Sequence, residues 1–286
     1  MPRLAVLGHP VAHSRSPAMQ NAALAALGLG EEWRYEAIDV VPEAFEAQVR
    51  AMAAAGFAGA NVTVPHKLAA LAVADTASEM AREIGAANTL IFSAGEIRAH
   101  NTDARGLIAS LPDGPAGRRA LVLGAGGAAR AAVWALGAAG ASVEIWNRTP
   151  ARAETVRIDV TERAQELAVQ IEVTTIQNDV PEDAGVLDQS GYDLIVNTTA
   201  VGLHGEDPFE HLPLRRDGFG PGQAVVDMVY GERASTLLEA AEAAGATTVD
   251  GIEVLVQQGA LSLQLWTGRE APVDVMRAAA YSLGGR

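Results

Sequence analysis

Of the 21 basic residues in this chain, 20 are arginine, and the single lysine is Lys67, in the run Asn61-Val62-Thr63-Val64-Pro65-His66-Lys67. The two cations differ chemically. A guanidinium keeps its proton in a protein, whereas an ammonium is compact, has three rotatable donors and responds to its surroundings. A chain that uses arginine almost everywhere and keeps one lysine points to a site that needs lysine chemistry and not charge alone. Lys67 follows the apolar run Val62-Thr63-Val64, so it stands in a loop at the carboxyl end of a strand, where α/β proteins place their ligands.

More polar groups fall at similar positions. His13-Ser14-Arg15-Ser16 follows the first apolar run, and its hydroxyls face the same kind of crevice. Ser16 also suits a helix N-cap before Pro17, while Ser14 has no such second role. Asn61 and Thr63 alternate along one strand and share a face. Ala87-Asn88-Thr89 and His100-Asn101-Thr102-Asp103 add amide, hydroxyl and carboxylate groups at further strand ends. Asp103 is placed to cap the helix that begins Ala104-Arg105-Gly106, and Asn88 to serve in a turn.

A different chemistry is written in Gly124-Ala125-Gly126-Gly127-Ala128-Ala129, a GxGxxA turn between an apolar strand and a helical run. Glycines there let the backbone turn tightly and approach a pyrophosphate, which then sits on the helix N-terminus. A site for NAD calls for Asp or Glu at the tip of the next strand, to hold the ribose hydroxyls. This chain has Asn147-Arg148-Thr149-Pro150-Ala151-Arg152 instead, and the nearest acid, Glu144, lies mid-strand. Arg148 and Arg152 suit a 2′-phosphate, each charge-assisted contact contributing roughly 1.5–3 kcal/mol. NADP is the expected dinucleotide.

The elements that must position these groups follow from the pattern. Short apolar runs alternate with Ala/Leu-rich helical stretches, which predicts an α/β protein with a largely parallel sheet. Strands are expected near 3–7, 33–40, 59–64, 87–92, 118–123, 141–147, 171–176, 192–197, 223–228 and 246–249. Helices are expected near 17–28, 42–55, 67–73, 77–84, 104–110 and 129–139, and as two pieces of 254–283 split by Thr267-Gly268. The turn-rich loop 111–117 separates two βαβ regions. With 286 residues, 49% hydrophobic and 20% charged, the chain reads as a globular protein of two domains. Its net charge of −14 argues against nucleic acid and anionic membranes as partners. The absence of cysteine excludes disulfides and thiolate chemistry, and six histidines without HxH or HExxH spacing give no support to a metal. No apolar run approaches the ~18 residues of a membrane span. A cytoplasmic protein, monomer or homodimer, acting on a small molecule is expected.

The order Ser-x-Ser-Pro, Asn-Val-Thr-x-Pro-x-Lys, Asn-Thr, Asn-Thr-Asp and GAGGA resembles the shikimate dehydrogenase family. The likeness continues through Asn147-Arg148-Thr149, Asn197-Thr198-Thr199, Asp227-Met228-Val229-Tyr230, and Asp250-Gly251 to Gln258 and Leu265-Trp266-Thr267-Gly268. It covers nearly the whole chain. The resemblance implies a catalytic pair, Lys67 and Asp103. It implies that Ser14, Ser16, Thr63, Asn88 and Gln258 hold the substrate, with Tyr230 near its carboxylate. It places Gly124, Ala125, Gly126, Gly127 and Ala128, then Asn147, Arg148, Thr149, Arg152 and Thr198, on the dinucleotide, and Met228 and Gly251 at its nicotinamide end. It further implies a substrate domain of 1–103 plus 251–286 with a mainly parallel sheet. A doubly wound Rossmann domain for NADP covers 104–250, and the active site is expected in the cleft between them.

The chain departs from the family pattern at Gln20, usually His, at Gly231-Glu232, usually Asn-Pro, and at Val254, often Met. It also carries about ten extra residues within 153–167. The implied reaction is reversible, NADP-dependent reduction of 3-dehydroshikimate to shikimate. A quinate/shikimate dehydrogenase using NAD or NADP, and a non-catalytic dinucleotide-sensing protein, are the alternatives. A lysine amine titrates near ~10.4, so a neutral lysine at pH 7 needs a fall of about 3 units, roughly 4 kcal/mol. A neighbouring carboxylate opposes that fall. The expected role of the lysine is therefore a charged donor to the developing alkoxide, with the aspartate orienting the hydroxyl and sharing the proton.

Overall fold

The computed structural model describes residues 2–166, 169–176, 187–231 and 235–282. They form two compact units. The first comprises Met1–Gly106 with Leu255–Arg286, and the second Leu107–Val254.

The first unit opens with β1 (Arg3–Gly8), α1 (Ser16–Ala26), β2 (Arg34–Asp39), α2 (Phe45–Ala54) and β3 (Phe57–Val62). It continues with α3 (Lys67–Val73), β4 (Thr76–Ala77), α4 (Glu79–Ile84), β5 (Thr89–Ser93) and β6 (Glu96–His100). The sheet order is β2-β1-β3-β5-β6-β4. It is mixed: β1 runs parallel to β2 and β3, whereas β5 is antiparallel to both β3 and β6. The strand expected at 87–92 is thus the first arm of a hairpin. Its turn is Ala94-Gly95, with φ of 53° and 83°. A two-residue turn with positive φ at both positions is the type I′ geometry, and alanine is a poor signal for it.

One face of this sheet buries Ala5, Leu7, Phe45, Val49, Met52, Val62, Ala70 and Leu90 with their neighbours from α2 and α3. Leu4 and Val6, alternating with Ala5 and Leu7, are also buried and point to the opposite face. There α1 packs on α11 (Val273–Tyr281). Gly59 admits the Trp266 indole, which donates from Nε1 to the Leu90 carbonyl at 2.9 Å; a Cβ at Gly59 would stand 2.2 Å from that nitrogen.

Two helices carry the chain from one unit to the other: α5 (Asp103–Ser110) and α10 (Gly251–Thr267). The second unit contains β7 (Arg119–Leu123), α6 (Gly127–Ala138), β8 (Ser142–Trp146), α7 (Pro150–Glu166) and β9 (Glu172–Thr175). It is completed by β10 (Leu194–Asn197), α8 (Pro208–His211), β11 (Ala224–Asp227), α9 (Thr236–Ala243) and β12 (Thr247–Asp250). Its sheet order is β12-β11-β10-β7-β8-β9 and every pair is parallel, the doubly wound arrangement of a dinucleotide-binding fold. Near-continuous apolar strands such as Ala120–Leu123 are what burial on both faces requires. Val122, Val133, Leu136, Val156 and Val196 fill one face, and Leu121, Leu123, Ile195, Val225 and Leu237 the other. The extra residues expected within 153–167 form, as far as Glu166, the body of α7; Leu167 lies outside the described residues, as do Glu232 and Leu283.

Candidate functional site

Lys67 begins α3, one turn beyond β3, and its Nζ donates to Asp103 Oδ2 at 2.7 Å. Both side chains are nearly buried, 11% and 7% exposed. The helix cap expected of Asp103 comes instead from Asn101, whose Oδ1 accepts from Ala104 N at 3.3 Å. The Asp103 carboxylate is thereby left for side chains. Its Oδ1 accepts from Asn88 Nδ2 at 2.8 Å, and the same amide nitrogen reaches Thr102 Oγ1 at 2.9 Å and Gln258 Oε1 at 3.0 Å. An amide nitrogen has two hydrogens. Three oxygens therefore compete for them, and one is always free to take a different partner.

Behind this front row lies a closed polar network. Asn61 Nδ2 donates to Ser262 Oγ at 2.9 Å and to Asn88 O at 3.2 Å, and Asn61 Oδ1 accepts from Tyr35 OH at 2.7 Å. Ser262 Oγ also meets Thr89 Oγ1 at 2.9 Å and Thr102 Oγ1 at 3.1 Å. Buried polar groups joined in this way hold one geometry, because each would lose its partner on moving. The sequence reading found Thr89 as a strand-end hydroxyl but not Tyr35 or Ser262. Ser262 had a signal: it lies four residues after Gln258 in α10, on the same helix face. Tyr35 had none.

Gly106 explains how close α10 comes. A Cβ there would stand 2.6 Å from Gln258 Cβ and 2.8 Å from Gln258 N. Of the two serines, Ser16 is the first residue of α1 and not its cap, Arg15 holding the cap position without a side-chain bond. Ser14 Oγ accepts from Ser16 N at 3.3 Å. Arg15 turns away to donate to the Ala280 carbonyl at 3.0 Å, and it is buried. Thr63 is half-buried beyond the last residue of β3, and a Cβ on Gly8 would come 2.5 Å from its methyl group.

In the second unit the glycine turn joins β7 to α6. Gly124 has φ of 118°, and a Cβ there would meet Thr198 Oγ1 at 2.6 Å, so both conformation and space require glycine. Thr198 itself donates to the Leu123 carbonyl at 2.7 Å. Around Gly126 the position of a Cβ is open. Asn147, Arg148 and Thr149 follow β8, with Arg148, Thr149 and Arg152 exposed and no ion pair on either arginine among the described residues. Glu144 is occupied elsewhere: it accepts from Tyr192 OH at 2.7 Å and from Arg119 at 3.0 Å. Burial, with this carboxylate second, pushes the Tyr192 phenol well above its ordinary range.

The tips of β10 and β11 are tied by Asn197, which donates to Asp227 Oδ1 at 2.9 Å. The other Asp227 oxygen takes Ser235 Oγ, and burial pushes this carboxyl above the usual carboxylate range. Gly251 opens α10 where a Cβ would stand 2.7 Å from the Met228 carbonyl. Among the described residues no group of three or more His, Cys, Asp or Glu is placed to hold a metal.

Residues 6–90 match the model of the shikimate dehydrogenase substrate-binding domain, and residues 251–281 that of the shikimate 5′-dehydrogenase C-terminal domain. A shikimate dehydrogenase (NADP⁺) of Moorella thermoacetica is 42% identical over 96% of this chain and 90% of its own. The chain belongs to the shikimate dehydrogenase family. The solved shikimate 5-dehydrogenase of Thermus thermophilus, in complex with NADP(H) and shikimate, is 41% identical and covers 99% of both chains with a TM-score of 0.81. A 5-ketofructose reductase of Gluconobacter sp. is also similar, at 31% identity and a TM-score of 0.84 over 99% of this chain and 98% of its own.

At Gln20 and Val254, two of the departures from the shikimate dehydrogenase pattern, the surroundings are local and plain. Gln20 is fully buried and donates to the Gly259 carbonyl at 3.0 Å, so it ties α1 to α10. Val254 is buried in the core of the second unit. Asp159 of α7 accepts from Arg130 of α6 at 2.6 Å and joins the two helices. No described helix is long and apolar enough to cross a membrane.

Proposed function

We propose that this protein catalyses the reversible reduction of 3-dehydroshikimate to shikimate with NADP as the hydride carrier. The observation that carries the reading is the Lys67–Asp103 pair, nearly buried and held by Asn88, in a chain that uses no other lysine. A non-catalytic dinucleotide sensor has no use for it.

The second unit fits a dinucleotide. The open backbone at Gly126 leaves room for a pyrophosphate at the N-terminus of α6, a twelve-residue helix. The exposed Arg148 and Arg152 offer charge to a 2′-phosphate, and the only nearby strand acid, Glu144, is already bonded. When bound, the nicotinamide supplies the hydride chemistry.

The remaining tasks fall to side chains of the first unit. Ser14, Ser16, Thr63, Asn88 and Gln258 hold the substrate's carboxylate and hydroxyls. Lys67 Nζ donates a hydrogen bond to the reacting oxygen and stabilises negative charge as it develops there. Asp103 Oδ2, which faces that ammonium at 2.7 Å, orients it and shares the proton of the C3 hydroxyl. Tyr230, half-buried after β11, is assigned to the substrate carboxylate, and Met228 and Gly251 to the nicotinamide.

The test is absorbance of reduced nicotinamide with purified protein, crossing shikimate and quinate against NADP⁺ and NAD⁺. Turnover confined to shikimate with NADP⁺ supports the proposal. Equal turnover of quinate, or preference for NAD⁺, replaces it with the broader quinate/shikimate activity.

A further inference from the structure

At the carboxyl ends of the first three strands, Asp39 occupies a position that no step above uses. It is the last residue of β2 and pairs in register with Gly8, the last residue of β1. Its Oδ1 accepts from His9 Nδ1 at 2.7 Å, and its Oδ2 accepts from Val11 N at 3.1 Å. One carboxylate therefore grips the β1–α1 loop at two points. From Val11 the grip passes on: its carbonyl accepts from Ser14 N at 3.0 Å, and Ser14 Oγ accepts from Ser16 N.

The neighbouring loop is tied to the same place. His9 N donates to the Val64 carbonyl at 3.0 Å, three residues before Lys67. His66 Nε2 donates to the carbonyl of Val40, the residue after Asp39, at 2.6 Å, and the His66 ring stacks on Phe45 at 4.5 Å. The serine loop and the lysine loop are thus both registered against the end of β2. Yet His9 and Asp39 are 44% and 50% exposed, unlike any core contact. Exposed ion pairs add little to global stability. A half-exposed carboxylate with two links to the serine loop, in a strand end that also ties down the lysine loop, is placed to set loop position.

We propose that Asp39 is a positioning residue for substrate: through His9 and Val11 it holds the β1–α1 loop so that Ser14 and Ser16 stand in binding register with the Lys67 loop. This rests on the reading that those serines hold the substrate. The hydrogen bond from His9 holds the Asp39 carboxyl below its ordinary range, so this carboxylate is ionised throughout the neutral range.

The experiment compares Asp39→Ala, Asp39→Asn and Ser14→Ala with the wild-type enzyme. Asp39→Ala is expected to raise the KM for shikimate about tenfold, with kcat and the KM for NADP⁺ within about twofold, the signature of lost binding without lost chemistry. Asp39→Asn keeps an oxygen for Val11 N, and its amide can donate to the other His9 tautomer, so it should recover most of the loss. Hydrogen exchange supplies a readout that needs no substrate: backbone amides of residues 9–16 should exchange faster in Asp39→Ala and those of the second unit should not. Unchanged exchange in 9–16, or a shikimate KM equal to wild type in Asp39→Ala while Ser14→Ala raises it, overturns the proposal. A wild-type enzyme inert toward shikimate overturns the functional reading instead, and the exchange result still decides whether Asp39 holds the loop.

Discussion

Asp103 presents one carboxylate oxygen to Lys67 at 2.7 Å and the other to Asn88 at 2.8 Å, so the aspartate that meets the ammonium is itself fixed in rotation. An ion pair this far from water is costly to assemble and costly to break, since removing one partner strands the other. Lys67→Ala is expected to lower kcat about a thousandfold, within the range of a lost proton-handling group. Asp103→Asn keeps a hydrogen-bonding shape but loses the charge, and should cost about a hundredfold. Because the two act as a unit, the double variant Lys67→Ala/Asp103→Ala should be no slower than the worse single variant. Initial rates at saturating substrate check this; strictly multiplicative losses would show that the residues work independently.

Arg148 and Arg152 stand exposed at and just beyond the tip of β8, where a ribose-binding acid would otherwise be. Each contact to a 2′-phosphate is worth roughly 1.5–3 kcal/mol, or about tenfold or more in affinity. Arg148→Ala/Arg152→Ala should therefore raise the KM for NADP⁺ by about a hundredfold and leave that for NAD⁺ within about twofold. A parallel rise for both dinucleotides would mean that the arginines serve the fold or the pyrophosphate and not the 2′-phosphate.

Gly106 owes its identity to contact and not to backbone conformation. Methyl insertion against Gln258 Cβ and Gln258 N, at 2.6 and 2.8 Å, has backbone on one side and cannot be absorbed by a rotamer change. Overpacking of this kind costs about 1–3 kcal/mol. Gly106→Ala should lower the urea midpoint accordingly and raise the shikimate KM, because Gln258 moves with α10. A variant as stable and as active as wild type would show that α10 slides freely past α5.

What the sequence made legible depended on the distance over which each residue acts. Lys67, the glycine turn and the arginines after β8 were readable because strand-end loops and GxGxxA spacing are local signals. The parallel sheet of the second unit followed from the alternation of apolar runs and helical stretches, and its doubly wound form from the family resemblance. The hairpin of β5 and β6 was missed because its turn is built on Ala94, which does not advertise positive φ. The cap of α5 was expected from Asp103 because Asp and Asn are equivalent caps by type; only the tertiary pull of Lys67 and Asn88 decides that Asn101 takes the task. Tyr35 joins Asn61 from 26 residues away with no local pattern to announce it, and Ser262 joins it from 201 residues away, where the spacing from Gln258 marks its helix face but not its partner.

One buried and one half-buried histidine give the protein an expected acid sensitivity. Burial holds His66 and His100 below the ordinary histidine range, and for His100 the Arg98 charge adds to it. For His66 the hydrogen bond to Val40 and the Asp39 charge work the other way, and His9 works with burial. The folded state thus refuses protons that the unfolded chain accepts near pH ~6.5, so more protons are bound in the unfolded state and stability falls as pH drops below that value. Asp227 acts with opposite sign: burial raises its carboxyl, so the folded state takes up this proton before the unfolded chain does, and acidification through that range favours the fold. The urea midpoint of the wild type is expected to fall between pH 7.5 and 5.5. His66→Gln, which keeps an N–H for Val40 without a titrating ring, should show a smaller fall over the same interval. If His66→Gln follows the wild-type slope, His66 takes up its proton equally in the folded and unfolded states and the sensitivity lies with His100 and the remaining groups.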